Sequence, residues 1–179
     1  NASAYLTGLI AGRMTETNKV GFIGGMESPV ISKFDYGFRA GVKAANPDAE
    51  VMVQYANSFT DSALGKTIAN QMHSKNADII FTCAGAVGIG AIEAAKENGK
   101  KAIGVDQDQN SLAPENVITS AMKNIDVSVE EMLSKVVDGS YKGGEIIVNT
   151  LAMNGVGIPQ SSEKNVPPDV LIYVNKEAE

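Results

Sequence analysis

The feature of this chain that most constrains its fold is an alternation. A short apolar run is followed by a polar break and then by a longer stretch with apolar residues three and four apart. Lys19 to Gly24 (KVGFIG), Val51 to Tyr55 (VMVQY), Asp78 to Cys83 (DIIFTC) and Lys101 to Asp106 (KAIGVD) each have the length of a buried strand. Between them lie helical patterns. Ser28 offers an N-cap and Pro29 a first helical position, and Ile31, Phe34, Phe38, Val42 and Ala45 follow at helical spacing until Asn46-Pro47-Asp48. Asp61 caps a helix through Lys75, with Leu64, Ile68 and Met72 four apart. A third helix spans about Val87 to Asn98, with Gly99 at C′. Strands that alternate with helices imply an α/β fold with a parallel, doubly wound sheet, and right-handed crossovers then place helices on both faces.

The pattern changes after Asp106. Residues Gln107 to Asn116 read as a polar loop and Val117 to Lys123 (VITSAMK) as a strand. Val127 to Val137 reads as a helix with Val129, Met132 and Val136 inward, closed by Asp138-Gly139. Glu145 to Ala152 is expected to be another strand. From Asn154 onward Gly155, Gly157, Pro159, Pro167 and Pro168 predict a loop-like tail. Asn1 to Met14 reads as an amphipathic helix with no strand before it. The chain is therefore expected to begin in mid-fold.

Several function classes lose support on composition. The formal net charge is -6, from 15 basic and 21 acidic residues, which is the wrong balance for a nucleic-acid partner. Cys83 is the only cysteine, so no intrachain disulfide forms. His73 is the only histidine, which leaves one candidate for a histidine-dependent metal site or triad. Its place on the last turn of a helix predicts instead a partly exposed residue near the helix C-terminus. No apolar run reaches the roughly 20 residues that span a bilayer. There is no Walker A sequence, and Gly85-x-x-Gly88-x-Gly90 reverses the dinucleotide spacing. Glu27 and Asp106 could pair as carboxylates, but no nucleophile with a base is visible. No catalytic residue, metal ligand or cofactor is assigned.

Open α/β sheets bind ligands outside the carboxyl ends of their strands. Here those ends are Gly24-Gly25-Met26, Asn57-Ser58-Phe59, Ala84-Gly85-Ala86 and Asp106-Gln107-Asp108. Gly85 either makes a tight strand-to-helix turn or lets a ligand approach the backbone, and the two are compatible. Phe59 is either a hydrophobic staple at the helix entrance or a stacking platform for a base or sugar. Asp106 either orders its loop or accepts two hydroxyl hydrogen bonds. Asp108 and Asn110 look like loop formers. Lys123 ends the next strand, where it either reaches a ligand or is simply solvated.

Six runs together carry a family resemblance. They are Ala4-Tyr5-Leu6-Thr7-Gly8, Lys19-Val20-Gly21-Phe22-Ile23-Gly24-Gly25-Met26, Phe38-Arg39-Ala40-Gly41, Asn57-Ser58-Phe59-Thr60-Asp61, Gly104-Val105-Asp106-Gln107-Asp108-Gln109 and Thr119-Ser120-Ala121-Met122-Lys123. In this order the chain resembles the basic membrane protein family, whose PnrA-like members are purine nucleoside receptors of ABC transporters. The resemblance covers about Ala4 to Gly157. It implies a type I periplasmic-binding-protein-like fold, mostly the C-terminal lobe, that binds without catalysis. It also implies a lipid-anchored receptor outside the cytoplasmic membrane that hands a purine nucleoside to a permease. By matching motif, Phe59 would be one stacking ring, Asp106 the ribose carboxylate and Lys123 a polar contact, with Gly85 in the ligand-facing glycine loop. Family members carry roughly a further hundred residues upstream, so this chain is expected to be a fragment. Residues 1–116 would supply the C-terminal lobe, 117–144 would cross to the N-terminal lobe, and 145–179 would return. The crossing segment, Val117 to Gly139, would expose an apolar face and promote dimerisation. A sugar or other small-solute receptor, or the effector-binding domain of a transcription regulator, are the alternatives within this fold.

Overall fold

Six strands form one sheet: β1 (Lys19–Gly24), β2 (Glu50–Tyr55), β3 (Ile79–Cys83), β4 (Lys101–Asp106), β5 (Val117–Lys123) and β6 (Val156–Gly157). The structure is a computed structural model and describes residues 1–178. The strand order is β2-β1-β3-β4-β5-β6. The first five run parallel, and the short β6 returns antiparallel beside β5. After β1 the chain steps outward to β2 and then crosses back to β3. That reversal opens a crevice at the carboxyl ends of β1 and β3.

Helices cover both faces, as the alternation requires. On one face lie α1 (Ala2–Met14), α2 (Pro29–Ala45) and α6 (Pro168–Ala178), packed on Val20, Phe22, Ile79, Phe81 and Ile103. On the other lie α3 (Ser62–Ser74) and α4 (Ala86–Glu97), packed on Ile23 and Ile80. The first face is an aromatic cluster: Phe22, Phe34, Phe38 and Phe81 are all at most 1% exposed, and the Phe38 and Phe81 centroids lie 5.1 Å apart. The helices approach each other through glycine. A Cβ on Gly41 of α2 would stand 2.1 Å from the Tyr5 carbonyl of α1, and one on Gly90 of α4 would stand 1.8 Å from the Ser62 carbonyl of α3. Only a missing side chain allows that proximity.

Local signals are obeyed. Ser28 Oγ accepts from Ile31 N at 3.3 Å and Asp61 Oδ1 from Leu64 N at 2.9 Å, and Gly99 takes φ +62°. Four expectations fail. Helix α1 is not amphipathic, since most of it is buried among α2, α6 and β5. The tail is not a loop: it holds β6, a 3₁₀ turn and α6. There Pro168 sits at the first helical position, and Val166, Val170 and Val174, four apart, are buried. His73 is only 8% exposed, with Nδ1 2.9 Å from the Ala77 carbonyl, and burial lowers its pKa.

The fourth concerns the inward-facing helix and the strand expected after Lys123. Strand β5 lies within the main sheet, whereas α5 (Ile125–Val137) has no buried residue. Val129 and Val136, expected inward, are 51% and 55% exposed. Glu145 to Ala152 forms no strand, and Ile146 is 93% exposed. The alternation is present, but no strand lies beside it to accept its hydrogen bonds, and an isolated strand does not persist in water. This arm leaves and returns through a narrow neck, where Asn124 N donates to the Gly155 carbonyl at 3.0 Å and Asn124 Nδ2 to the Asn154 carbonyl at 2.7 Å.

Candidate functional site

The carboxyl ends of β1, β2 and β3 are knitted into one floor by backbone bonds. Gly25 N donates to the Cys83 carbonyl at 3.1 Å, and Asn57 N to the Gly25 carbonyl at 2.9 Å. Asn57 turns the chain with φ +53° and brings Phe59 back over β1. The Phe59 ring then packs against Gly25, where a Cβ would stand 2.1 Å from a ring carbon. From the other side, Ala86 N donates to the Phe59 carbonyl at 2.8 Å. A Cβ on Gly85, which holds φ +59°, would meet that carbonyl at 2.7 Å. Gly25 thus makes room for the ring and Gly85 for the backbone of Phe59. The staple reading of Phe59 is set aside, because its partner is Gly25 and the staple position on α3 is Gly65, which offers no side chain. The ring remains 40% exposed and can stack a flat group on its free side.

Asp106 and Lys123 meet across β4 and β5. Lys123 Nζ lies 2.8 Å from Asp106 Oδ1, with both side chains part-exposed. Asp106 takes φ +69°, a left-handed conformation that aspartate tolerates better than most residues. It does not order its loop. Gln109 Oε1 does that by accepting from Val105 N at 2.9 Å, and Asp108 Oδ1 accepts from Asn110 N at 3.0 Å. The Asp106 carboxylate therefore keeps acceptor capacity, and the Lys123 ammonium keeps donors, for hydroxyl groups of a neutral ligand. Between the two halves sits Cys83. Burial first, and then the charge of Asp106, pushes its thiol up to about 12, so it stays protonated and is a poor nucleophile at neutral pH.

All four residues singled out from sequence lie along this edge: Phe59 with Gly85, and Asp106 with Lys123. Two others were missed. Gly25 was grouped with the strand end, not recognised as the seat of a ring. Phe34 stands in the sequence only as one of the apolar residues at helical spacing, yet Lys123 Nζ lies 4.9 Å from its ring centroid. The site is an open shelf. Other concavities lie elsewhere, one of about 470 Å³ outside α2 beside Tyr36, Arg39 and Lys43, and one of about 800 Å³ along the exposed face of α5. Neither touches the strand ends.

Comparison with known proteins gives the family and the fold. Residues 1–178 match the family described as ABC transporter substrate-binding protein PnrA-like. The "ABC transporter nucleoside-binding protein BmpA" of Lactococcus lactis subsp. cremoris is 41% identical over 175 residues, covering 88% of this chain and 50% of that protein. An ABC transporter solute-binding protein from Aeropyrum pernix K1 superposes with TM-score 0.80 at 27% identity, covering 98% of this chain and 56% of the other. A transcriptional activator of the comK gene from Bacillus halodurans superposes with TM-score 0.87 at 24% identity over 98% of this chain and 60% of the other, which is a likeness of fold. The chain spans about half the length of the curated relatives it matches. By family match, relatives and fold together, it belongs to the PnrA-like family of ABC transporter substrate-binding proteins, which bind rather than catalyse.

Proposed function

We propose that this chain supplies one wall of a purine nucleoside site in an extracytoplasmic receptor that delivers its ligand to an ABC transporter permease. Phe59 stacks on the base. Asp106 accepts from the ribose hydroxyls, and Lys123 donates to a ribose oxygen. Gly25 makes room for the ring, Gly85 for the Phe59 backbone, and both let the ligand approach the backbone. The observation that carries this reading is the pairing on one sheet edge of an exposed ring with a self-neutralised Asp106–Lys123 pair at 2.8 Å. A flat, neutral molecule with vicinal hydroxyls matches both. The Lactococcus relative, named a nucleoside-binding protein, supports it.

In this reading the second wall belongs to another lobe. The chain departs toward that lobe after Lys123 and returns at Val156. The bare face of α5 and the extended run at Glu145 are then the parts that dock there. A lipid anchor would hold the whole receptor at the membrane.

The test uses the full-length receptor with inosine, 2′-deoxyinosine, hypoxanthine and ribose, measured by calorimetry. Asp106→Asn should weaken inosine about 10- to 150-fold, from the loss of a charge-assisted hydrogen bond of roughly 1.5–3 kcal/mol, and should weaken 2′-deoxyinosine less. Phe59→Ala should cost about 1–3 kcal/mol for inosine and nothing for ribose. If ribose binds wild type as tightly as inosine, the ligand is a sugar and the nucleoside reading falls.

A further inference from the structure

Lysine carries a long flexible stem, and strand geometry alone does not decide where its ammonium rests. Two contacts decide it for Lys123. One is Asp106, already described. The other comes from below: the ammonium sits 4.9 Å from the ring centroid of Phe34, within the range where the ring quadrupole attracts a cation. Phe34 is 1% exposed and is braced against Phe81, with centroids 6.4 Å apart. A side chain packed that way cannot swing to follow the lysine. In the same core, Phe22, Phe38 and Phe81 pack ring against ring, as ordinary core aromatics do. Phe34 also offers a face to a charge.

We propose that Phe34 is a positioning residue of the site. Its ring holds the Lys123 ammonium against Asp106, so that the pair meets the ligand already assembled. Phe34 touches no ligand and acts only through Lys123. The freedom that a loose lysine would lose on binding is then removed during folding, and the ligand binds more tightly for it. The inference rests on the reading of Asp106 and Lys123 as the hydroxyl-binding pair. It also explains why an element outside the strand ends shapes the site: α2 carries Phe34 under Lys123 while its own N-terminus is capped by Ser28 at the ligand edge.

The test has two arms, both on the full-length receptor. Without ligand, NMR of labelled lysine should place the Lys123 ε-protons upfield of the other lysines, because they lie over a ring face. In Phe34→Leu, which keeps the apolar bulk, that shift should vanish. Lys123 ε-protons at the ordinary position in wild type would overturn the proposal without any variant. In the second arm, inosine affinity is measured for Phe34→Leu, Lys123→Met and the double variant. Phe34→Leu should weaken inosine about three- to tenfold, the scale of one partly exposed cation–ring contact. The double variant should bind no more weakly than Lys123→Met alone. If Phe34→Leu has the same effect in both backgrounds, the ring acts through packing and the proposal is wrong. If the wild-type shift is present but inosine does not bind, the positioning contact stands and the nucleoside reading is the one that fails.

Discussion

The sheet body and the arm that follows β5 are made from similar residues and meet opposite fates. In the body, Phe34, Phe38, Ile79 and Ile103 are closed off from water. In the arm, Ile125, Leu133, Val137 and Ile146 are all more than half exposed. Helix α5 and helix α2 both carry apolar residues at helical spacing, so periodicity does not separate them. What separates them is whether a complementary surface lies opposite. Apolar spacing states what a segment can bury, and only a neighbour decides that it does.

The largest expected difference between the two regions is in chemical access. With its thiol pushed up to about 12, Cys83 should react with iodoacetamide at pH 8 at least about 1,000-fold more slowly than in the unfolded chain, where cysteine titrates near 8.5. The arm has no such protection, so a trace of protease should cut between Asp138 and Thr150 long before Cys83 labels. Cys83 labelling at the rate of arm cleavage would mean that body and arm open together.

Truncation should sharpen the contrast. Phe81→Ala should cost about 3–5 kcal/mol in urea unfolding, the range for a buried ring that leaves a cavity. Leu133→Ser on the chain alone should fall within about 0.5 kcal/mol of wild type. A loss above about 2 kcal/mol for Leu133→Ser would show that α5 is packed in solution after all.

The smallest effect concerns His73, in the last turn of α3. Burial lowers its pKa below the ordinary 6.5. The unfolded chain therefore takes up that proton first, and the associated stability is whole above pH 6.5 and lost as the pH falls below it. His73→Gln should flatten the dependence of thermal midpoint on pH between 7.5 and 5 relative to wild type. Parallel curves for the two proteins would mean that His73 titrates freely.

How much was legible in the sequence follows the range of each interaction. Caps and turns are local, so Ser28, Pro29, Asp61 and Gly99 announced their helices correctly. The strand ends followed from the alternation, and with them the edge that carries Phe59, Gly85, Asp106 and Lys123. The motif resemblance, not the spacing, proposed roles for those four. Sheet order was not legible, because nothing local says that β1 lies between β2 and β3. Gly25 as a ring seat and Phe34 as a support for Lys123 depend on partners distant in sequence. In the tail, prolines were read as breakers when Pro168 begins a helix; the four-residue spacing of Val166, Val170 and Val174 was the overlooked signal. At Glu145 to Ala152 the alternation was read correctly as a pattern and wrongly as a strand.

The neck between body and arm has a mechanical consequence. Outbound β5 and returning β6 are adjacent antiparallel strands, with Lys123 opposite Val156, and Asn124 bonds Gly155 just beyond. With β4 paired along one side of β5 and β6 along the other, the outgoing and returning chain are tied together at the sheet itself, so a displacement of the arm would be felt by both strands at once. Whatever the arm carries is tethered through these two strands, and the first residue beyond their pairing, Asn124, adjoins Lys123. A displacement there would register first at the ammonium that Asp106 and Phe34 hold in place.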